Sequence, residues 1–244
     1  ESFSTPTLAA TVGCGDSGGR VLAVYGFYRL DKWSLVKEDL SAFGLGTVNR
    51  LFPERINTFD YTGDHVSALM ASGALVDSAE AGAVSGGAVS LSDYWIVDWI
   101  VGEETVADET LSAADQAAIQ AYLSGGGNLL LSGAEIAWDL SLKGTTADKE
   151  FLQTWLHAAY SGDDGESYVA QSVAGTDFED LGNVSFDDGT HGVYDVDFPD
   201  QMKAGDGATL VFKYPNGTGA GIAYKGDHRV VFLGFPIEAV YPQA

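Results

Sequence analysis

Three apolar runs set what this chain can fold into. Val21-Leu22-Ala23-Val24-Tyr25-Gly26, Tyr94-Trp95-Ile96-Val97-Asp98-Trp99-Ile100-Val101-Gly102 and Asn128-Leu129-Leu130-Leu131-Ser132-Gly133 are near-continuous hydrophobic stretches that stop at a glycine. A strand exposed on one face alternates polar and apolar residues. A run without alternation is buried on both faces, as in a parallel sheet covered by helices.

The segments between and after these runs fit that reading. Ser112 is predicted to cap a helix that reaches Leu123, with Asp115 at the third helical position and Gly125-Gly126-Gly127 ending it. A strand is expected at Ile56–Tyr61 and a helix from Gly63 to Ala74, entered through Asp64. Asp148 to Tyr160 forms an amphipathic pattern with Phe151, Leu152, Trp155, Leu156 and Ala159 on one face. Ser34 to Phe43 fits a helix or an irregular excursion, and residues 72–90, rich in Gly, Ala and Ser, fit neither period. Beyond residue 165, shorter alternating strands follow at Ser167–Ala174, Gly182–Phe186, Ala208–Tyr214, Gly219–Tyr224 and Arg229–Phe235. The order predicts one α/β domain with a three-layer, mostly parallel sheet, flavodoxin-like in the broad sense, and a C-terminal antiparallel extension. Residues 20–244 make that domain. Residues 1–19 read as a short strand, Pro6 to Val12, and a Gly-rich linker.

Charge narrows the function classes. The 35 Asp and Glu outnumber the 12 Lys and Arg, for a formal net charge of −23. Such a surface repels phosphate backbones and anionic lipid, so nucleic-acid and membrane-surface binding are not expected. A hydrophobic fraction of 45% is that of a folded domain, which argues against disorder. Cys14 is the single cysteine, so neither an intrachain disulfide nor a multi-cysteine zinc site can form. The first residues, Glu1 to Pro6, lack the basic and apolar regions of a signal peptide, and no run is long enough for a membrane-spanning helix.

Several motifs fail on their mechanics. Gly15-Asp16-Ser17-Gly18-Gly19 spells a serine-protease nucleophile motif, but no histidine precedes it, so a Gly/Ser linker is the better reading. Gly125-Gly126-Gly127 lacks the Lys and Ser/Thr of a phosphate loop and follows a helix instead of opening one. Ser132 ends a strand, yet Leu130 occupies a position where a nucleophile elbow needs a small residue.

Carboxylates carry the remaining chemistry. Ligands of open parallel sheets bind beyond the carboxyl ends of the strands. Those ends hold Asp60, then Glu103 and Glu104, then Glu135 and Asp139, with His65 about one turn past Asp60. Glu135, Glu103, Asp139 and His65 are the candidate catalytic residues, as general acid or base. Asp60, Glu103 and Glu104 are candidate ligands for a hard cation such as Ca2+. Asp187, Asp188 and Asp195, in the acidic stretch 177–200, are the others, although Asp187-Asp188-Gly189-Thr190-His191-Gly192 does not follow calcium-loop spacing. No cofactor is predicted. The plainer reading of these carboxylates is that they cap helices and pair with Arg29 and Arg55. His157 and His228 have no catalytic partner in sequence. Asn183-Val184-Ser185 and Asn216-Gly217-Thr218 match glycosylation acceptors.

Two family resemblances follow from these residues. The Gly-rich helix exit, the strand ending in Ser132-Gly133-Ala134-Glu135, and the terminal Phe232-Leu233-Gly234-Phe235-Pro236-Ile237-Glu238 resemble the class I glutamine amidotransferase-like fold. Active members carry a Cys at the elbow and His-Pro-Glu after the last strand; here Leu131 to Glu135 contain no Cys and Phe235-Pro236-Ile237-Glu238 contains no His. The resemblance implies the fold and argues against that chemistry. Arg55 to Tyr61, Val97 to Glu104, Leu131 to Leu140, Phe186 to Val196 and Gly234 to Glu238 resemble a C-terminal domain of large secreted bacterial proteins, often named N-acetylmuramoyl-L-alanine amidase or xanthan lyase. In that family a fibronectin type III module commonly precedes the domain, and residues 1–12 resemble its last strand.

The resulting expectation is a non-catalytic accessory, binding or assembly domain, a pseudoenzyme of a secreted or cell-surface bacterial multidomain protein. Its partners would be neighbouring modules, copies of itself through the N-terminal strand, or cell-surface polysaccharide or peptidoglycan. The alternative is a cell-wall or polysaccharide hydrolase built on the strand-end carboxylates.

Overall fold

The computed structural model describes residues 19–27, 36–50, 61–104 and 109–241. The expected strand at residues 6–12, the linker, the strand at 56–61 and the candidate ligand Asp60 lie outside them, as do Arg29 and Arg55.

The first apolar run forms β1 (Arg20–Tyr25). After it, β2 (Val36–Asp39) and β3 (Thr47–Arg50) form a separate antiparallel hairpin. Among the described residues of Ser34–Phe43, where the sequence predicts a helix or an irregular excursion, β2 is followed by a single 3-10 turn at Ser41–Phe43. Next come α1 (Tyr61–Ala71), β4 (Leu75–Glu80) and α2 (Ala81–Ser85). Then follow β5 (Ile96–Glu103), α3 (Ala113–Ser124) and β6 (Asn128–Ala134). A short α4 (Ile136–Trp138) runs into a π-helical turn (Asp139–Lys143) and α5 (Thr146–Thr154). The antiparallel part holds β7 (Ala158–Gly162), β8 (Val169–Ser172), β9 (Asn183–Ser185), β10 (Gln201–Ala204), β11 (Ala208–Lys213), β12 (Gly219–Lys225) and β13 (Arg229–Leu233).

The main sheet runs β4-β1-β5-β6-β13-β12-β11-β8-β9, with β10 joining β7 to β12. The first five of these strands are mutually parallel and the rest are antiparallel. In chain order the parallel part is 2-1-3-4-5, the flavodoxin-like order, so the expected fold class is what the chain adopts. Winding reverses at β1: the chain steps one way to β4 and the other way to β5 and β6. Right-handed crossovers then place α1 on one face and α2 and α3 on the opposite face. The packing agrees. Val66 of α1 packs with Val21, Ala23 and Val76, while Leu22, Val24, Val97, Trp99 and Leu131 pack with Val84, Ile119, Leu123 and Phe151.

Local chemistry fixes several boundaries. Ser112 and Asp115 form a reciprocal capping box at α3, as their spacing predicts, and Thr145 and Asp148 form a second one at α5. The helix expected to run to Tyr160 stops at Thr154, and His157 turns the chain with φ 52° so that Ala158 enters β7. The second strand of the parallel set is β4, an edge strand inside the stretch that fits neither period; its half-buried, polar-mixed residues explain the weak signal.

Candidate functional site

Winding reverses between β1 and β5, and in such sheets ligands usually bind beyond the carboxyl ends of the strands at that point. Gly102, at φ 63°, lets the ring of Phe27 lie against the end of β5; a Cβ there would sit 2.2 Å from that ring. A register shift between Ile100 and Gly102 accompanies the turn, and Glu103 and Glu104 both end buried at the edge.

Beneath this edge lies a buried polar chain. His65 of α1 places Nδ1 2.7 Å from Asp98 Oδ2 and Nε2 3.3 Å from Glu238 Oε2. The Tyr194 hydroxyl donates to Glu238 Oε1 at 2.7 Å. Burial opposes charge on His65, but the two carboxylates outweigh it and push its pKa up to about 10. Each ring nitrogen faces a carboxylate, so both donate and the ring is an imidazolium. In that state it offers no lone pair for general-base work. Burial, Glu238 and Glu103 hold the Tyr194 hydroxyl protonated. Its ring packs edge-on against Phe27 and Tyr61, both centroids 5.4 Å away. Glu103 Oε2 accepts the Asp197 N–H at 3.3 Å, which ties the edge of β5 to the acidic loop.

A second carboxyl group surrounds the β6–α4 turn. Glu135 is 6% exposed and takes φ 65°, ψ 1°, a left-handed conformation between a strand and a helix. This is the elbow position that the serine reading placed at Ser132, which instead lies fully buried within β6. Asp200, wholly buried, accepts the N–H groups of Ala137 at 2.7 Å and Trp138 at 3.0 Å. Burial raises its pKa well above the carboxylate range, the two N–H groups oppose the rise, and Glu135 adds to it.

The remaining candidates are held elsewhere. Asp139 Oδ2 accepts the Thr110 N–H and hydroxyl at 2.8 and 2.9 Å, and its Oδ1 lies 3.1 Å from Lys143 Nζ. Asp187 accepts the N–H groups of His191 and Val193, and Asp188 accepts Thr190. Asp187, Asp188 and His191 bring one ligand atom each within 4.8 Å of one another, a spacing that could hold a metal ion. Asp195 is bridged to Asp188 through the backbone, but its carboxylate is not in that group and accepts the Tyr168 hydroxyl at 2.8 Å.

The structure thus adds Asp98, Tyr194, Asp200, His191 and Glu238 to the candidates. One of them had a sequence signal. Asp98 is the only charged residue between Tyr94 and Gly102, and a carboxylate inside a buried strand demands a cationic or hydrogen-bonding partner.

No family model matches the chain, and no curated protein does. Solved structures similar to it include an exo-β-1,4-mannosidase, Op5Man5, from Opitutaceae bacterium strain TAV5, at 11% identity and TM-score 0.49, covering 89% of this chain and 31% of that one. A glutamine amidotransferase from Thermotoga maritima is similar at 18% identity and TM-score 0.47, covering 90% and 76%. A cytoplasmic protein from Salmonella typhimurium LT2 is similar at 13% identity and TM-score 0.49, covering 88% and 86%. This chain spans about a third of the mannosidase. Likenesses at this level describe shape only, and the fold class rests on the strand order.

Proposed function

We propose that this chain is a non-catalytic assembly module of a larger secreted bacterial protein, and that it associates with a second copy of itself. The β2–β3 hairpin carries the reading. None of residues 37–50 is buried, and its tip presents Phe43 at 78% and Leu45 at 64% exposure. Gly44 and Gly46, both at positive φ, shape the turn that displays them. Leu142, Leu181 and Trp95 are also exposed, but Phe43 is the most exposed large apolar side chain among the described residues, and with Leu45 two residues on it makes an apolar tip that a partner would cover. Sedimentation of the chain over a range of concentrations tests the reading. Self-association that Phe43→Ser with Leu45→Ser abolishes is expected; a wild type that stays monomeric throughout overturns it.

The same reading places a divalent cation at Asp187, Asp188 and His191. Calorimetric titration with Ca2+ and Mn2+, repeated on His191→Ala, is its test.

One observation favours the hydrolase alternative. A non-glycine residue held in a left-handed conformation at a strand-to-helix elbow costs stability, and such strain collects at working sites. Glu135 is that residue, with the raised carboxyl of Asp200 close enough to interact. Turnover of a cell-wall or polysaccharide substrate by the wild type, lost in Glu135→Gln, would replace the module reading.

A further inference from the structure

On the helical face opposite α1, helices α3 and α5 leave a cleft of about 710 Å³ between them. Its origin is compositional. Ala113 and Ala117 lie one turn apart on the α3 wall of the cleft, and methyl groups cannot reach across to α5. Leu111, Leu140 and Phe151, all nearly inaccessible, form the apolar floor, and half-buried Trp155 adds an aromatic surface.

The charge in the lining is one-sided. Among the described residues of the lining, Glu109, Asp139, Asp148 and Glu150 stand against one ammonium, that of Lys143, an excess of three negative charges. Lys143 is already within 3.1 Å of Asp139. Burial works against ionisation of Asp148, but hydrogen bonds from Gln116 and Thr145 prevail and hold its pKa below the ordinary value, so it is charged at neutral pH. Glu109 and Glu150 are exposed on the rim. An anion entering this space meets uncompensated like charge. An apolar body alone would cover these carboxylates without pairing them. A cation on an apolar stem satisfies both halves: its stem lies along the exposed Ala113 and Ala117 and the half-buried Trp155, above the covered Leu111, Leu140 and Phe151, and its charge faces the acidic rim. The volume lies within the range of small-ligand sites, roughly 300–1,000 Å³.

We propose that the α3–α5 cleft binds an ammonium or guanidinium group carried on an apolar stem. This site is separate from the hairpin and does not depend on self-association of the chain. Two sources share that chemistry: a free polyamine, and a Lys or Arg side chain of a peptide segment. Calorimetry with spermidine and with a short amphipathic Leu/Lys peptide distinguishes them, since binding of one and not the other names the source.

The highly acidic surface elsewhere makes controls decisive. Ala117→Trp fills the cleft without altering charge, and Glu150→Lys reverses the rim; both positions are exposed, so thermal unfolding is expected to stay unchanged. The binding constant should weaken about tenfold or more in Ala117→Trp and severalfold in Glu150→Lys. Equal affinity of wild type and Ala117→Trp would show that the cations bind the general surface and would overturn the proposal. So would wild type that binds neither probe, or that binds 1,6-hexanediol or a Leu/Ser peptide equally well.

Discussion

His65 and Asp98 form an ion pair at 2.7 Å in which both side chains are less than 5% exposed. The pair links α1 to the centre of β5, and Glu238 extends it to the segment after β13. Breaking such a pair from one side strands a buried charge, at a cost of about 3–5 kcal/mol. Asp98→Asn should therefore destabilise far more than a typical surface substitution, and urea unfolding at neutral pH measures it. Double replacement by apolar residues, His65→Leu with Asp98→Leu, should recover only part of the loss, because the buried Glu238 keeps its Tyr194 hydrogen bond but loses its imidazolium partner.

Glu135 predicts the opposite sign. Its φ of 65° is disfavoured for any residue with a Cβ and free for glycine. Glu135→Gly should raise stability by about 1 kcal/mol, seen as a higher midpoint in denaturant at constant slope. An unchanged or lower midpoint would mean that the Glu135 side chain contributes more than its backbone costs.

Capping supplies a third. Ser112 accepts the Asp115 N–H while Asp115 accepts from Ser112, and these bonds satisfy N–H groups that α3 would otherwise leave open. Ser112→Ala is expected to cost about 1 kcal/mol by thermal unfolding. An effect below a few tenths of that would show that packing alone fixes the start of α3.

What the sequence made legible divides along the same lines. Local, periodic signals survived folding: the buried runs became β1, β5 and β6, and the Ser112–Asp115 spacing became a capping box. Signals that depend on tertiary placement did not. β4 reads poorly because an edge strand is only half covered, and β7 was hidden because the apolar spacing of α5 continues past the point where His157 turns the chain. His65 was visible as a candidate, but its partners come from sequence positions 33 and 173 residues away, a juxtaposition that no local pattern encodes. The hairpin tip escaped notice because Phe43 reads as ordinary core material until the fold leaves it outside.

The pH dependence of stability joins the two buried sites. His65 has a folded pKa raised from 6.5 to about 10, so the stability it contributes is complete below about pH 6.5 and is lost as pH rises through its folded value. Asp200 is raised too, from 3.8, so the folded state also holds its proton longer than the unfolded chain does, and stability falls as pH rises past that value. Both groups act in the same direction, and self-repulsion of a chain with formal charge −23 adds to them as carboxylates ionise. The melting temperature should therefore decline from about pH 5 to pH 10, with the maximum on the acid side of neutrality. His65→Gln, which cannot charge, should start from lower stability and flatten the decline above about pH 6.5, while Asp200→Asn should flatten it on the acid side. Calorimetric scans of the three proteins across that range decide it: a wild-type maximum near pH 8, or a His65→Gln profile parallel to wild type above pH 7, would show that His65 is not an imidazolium in the folded protein.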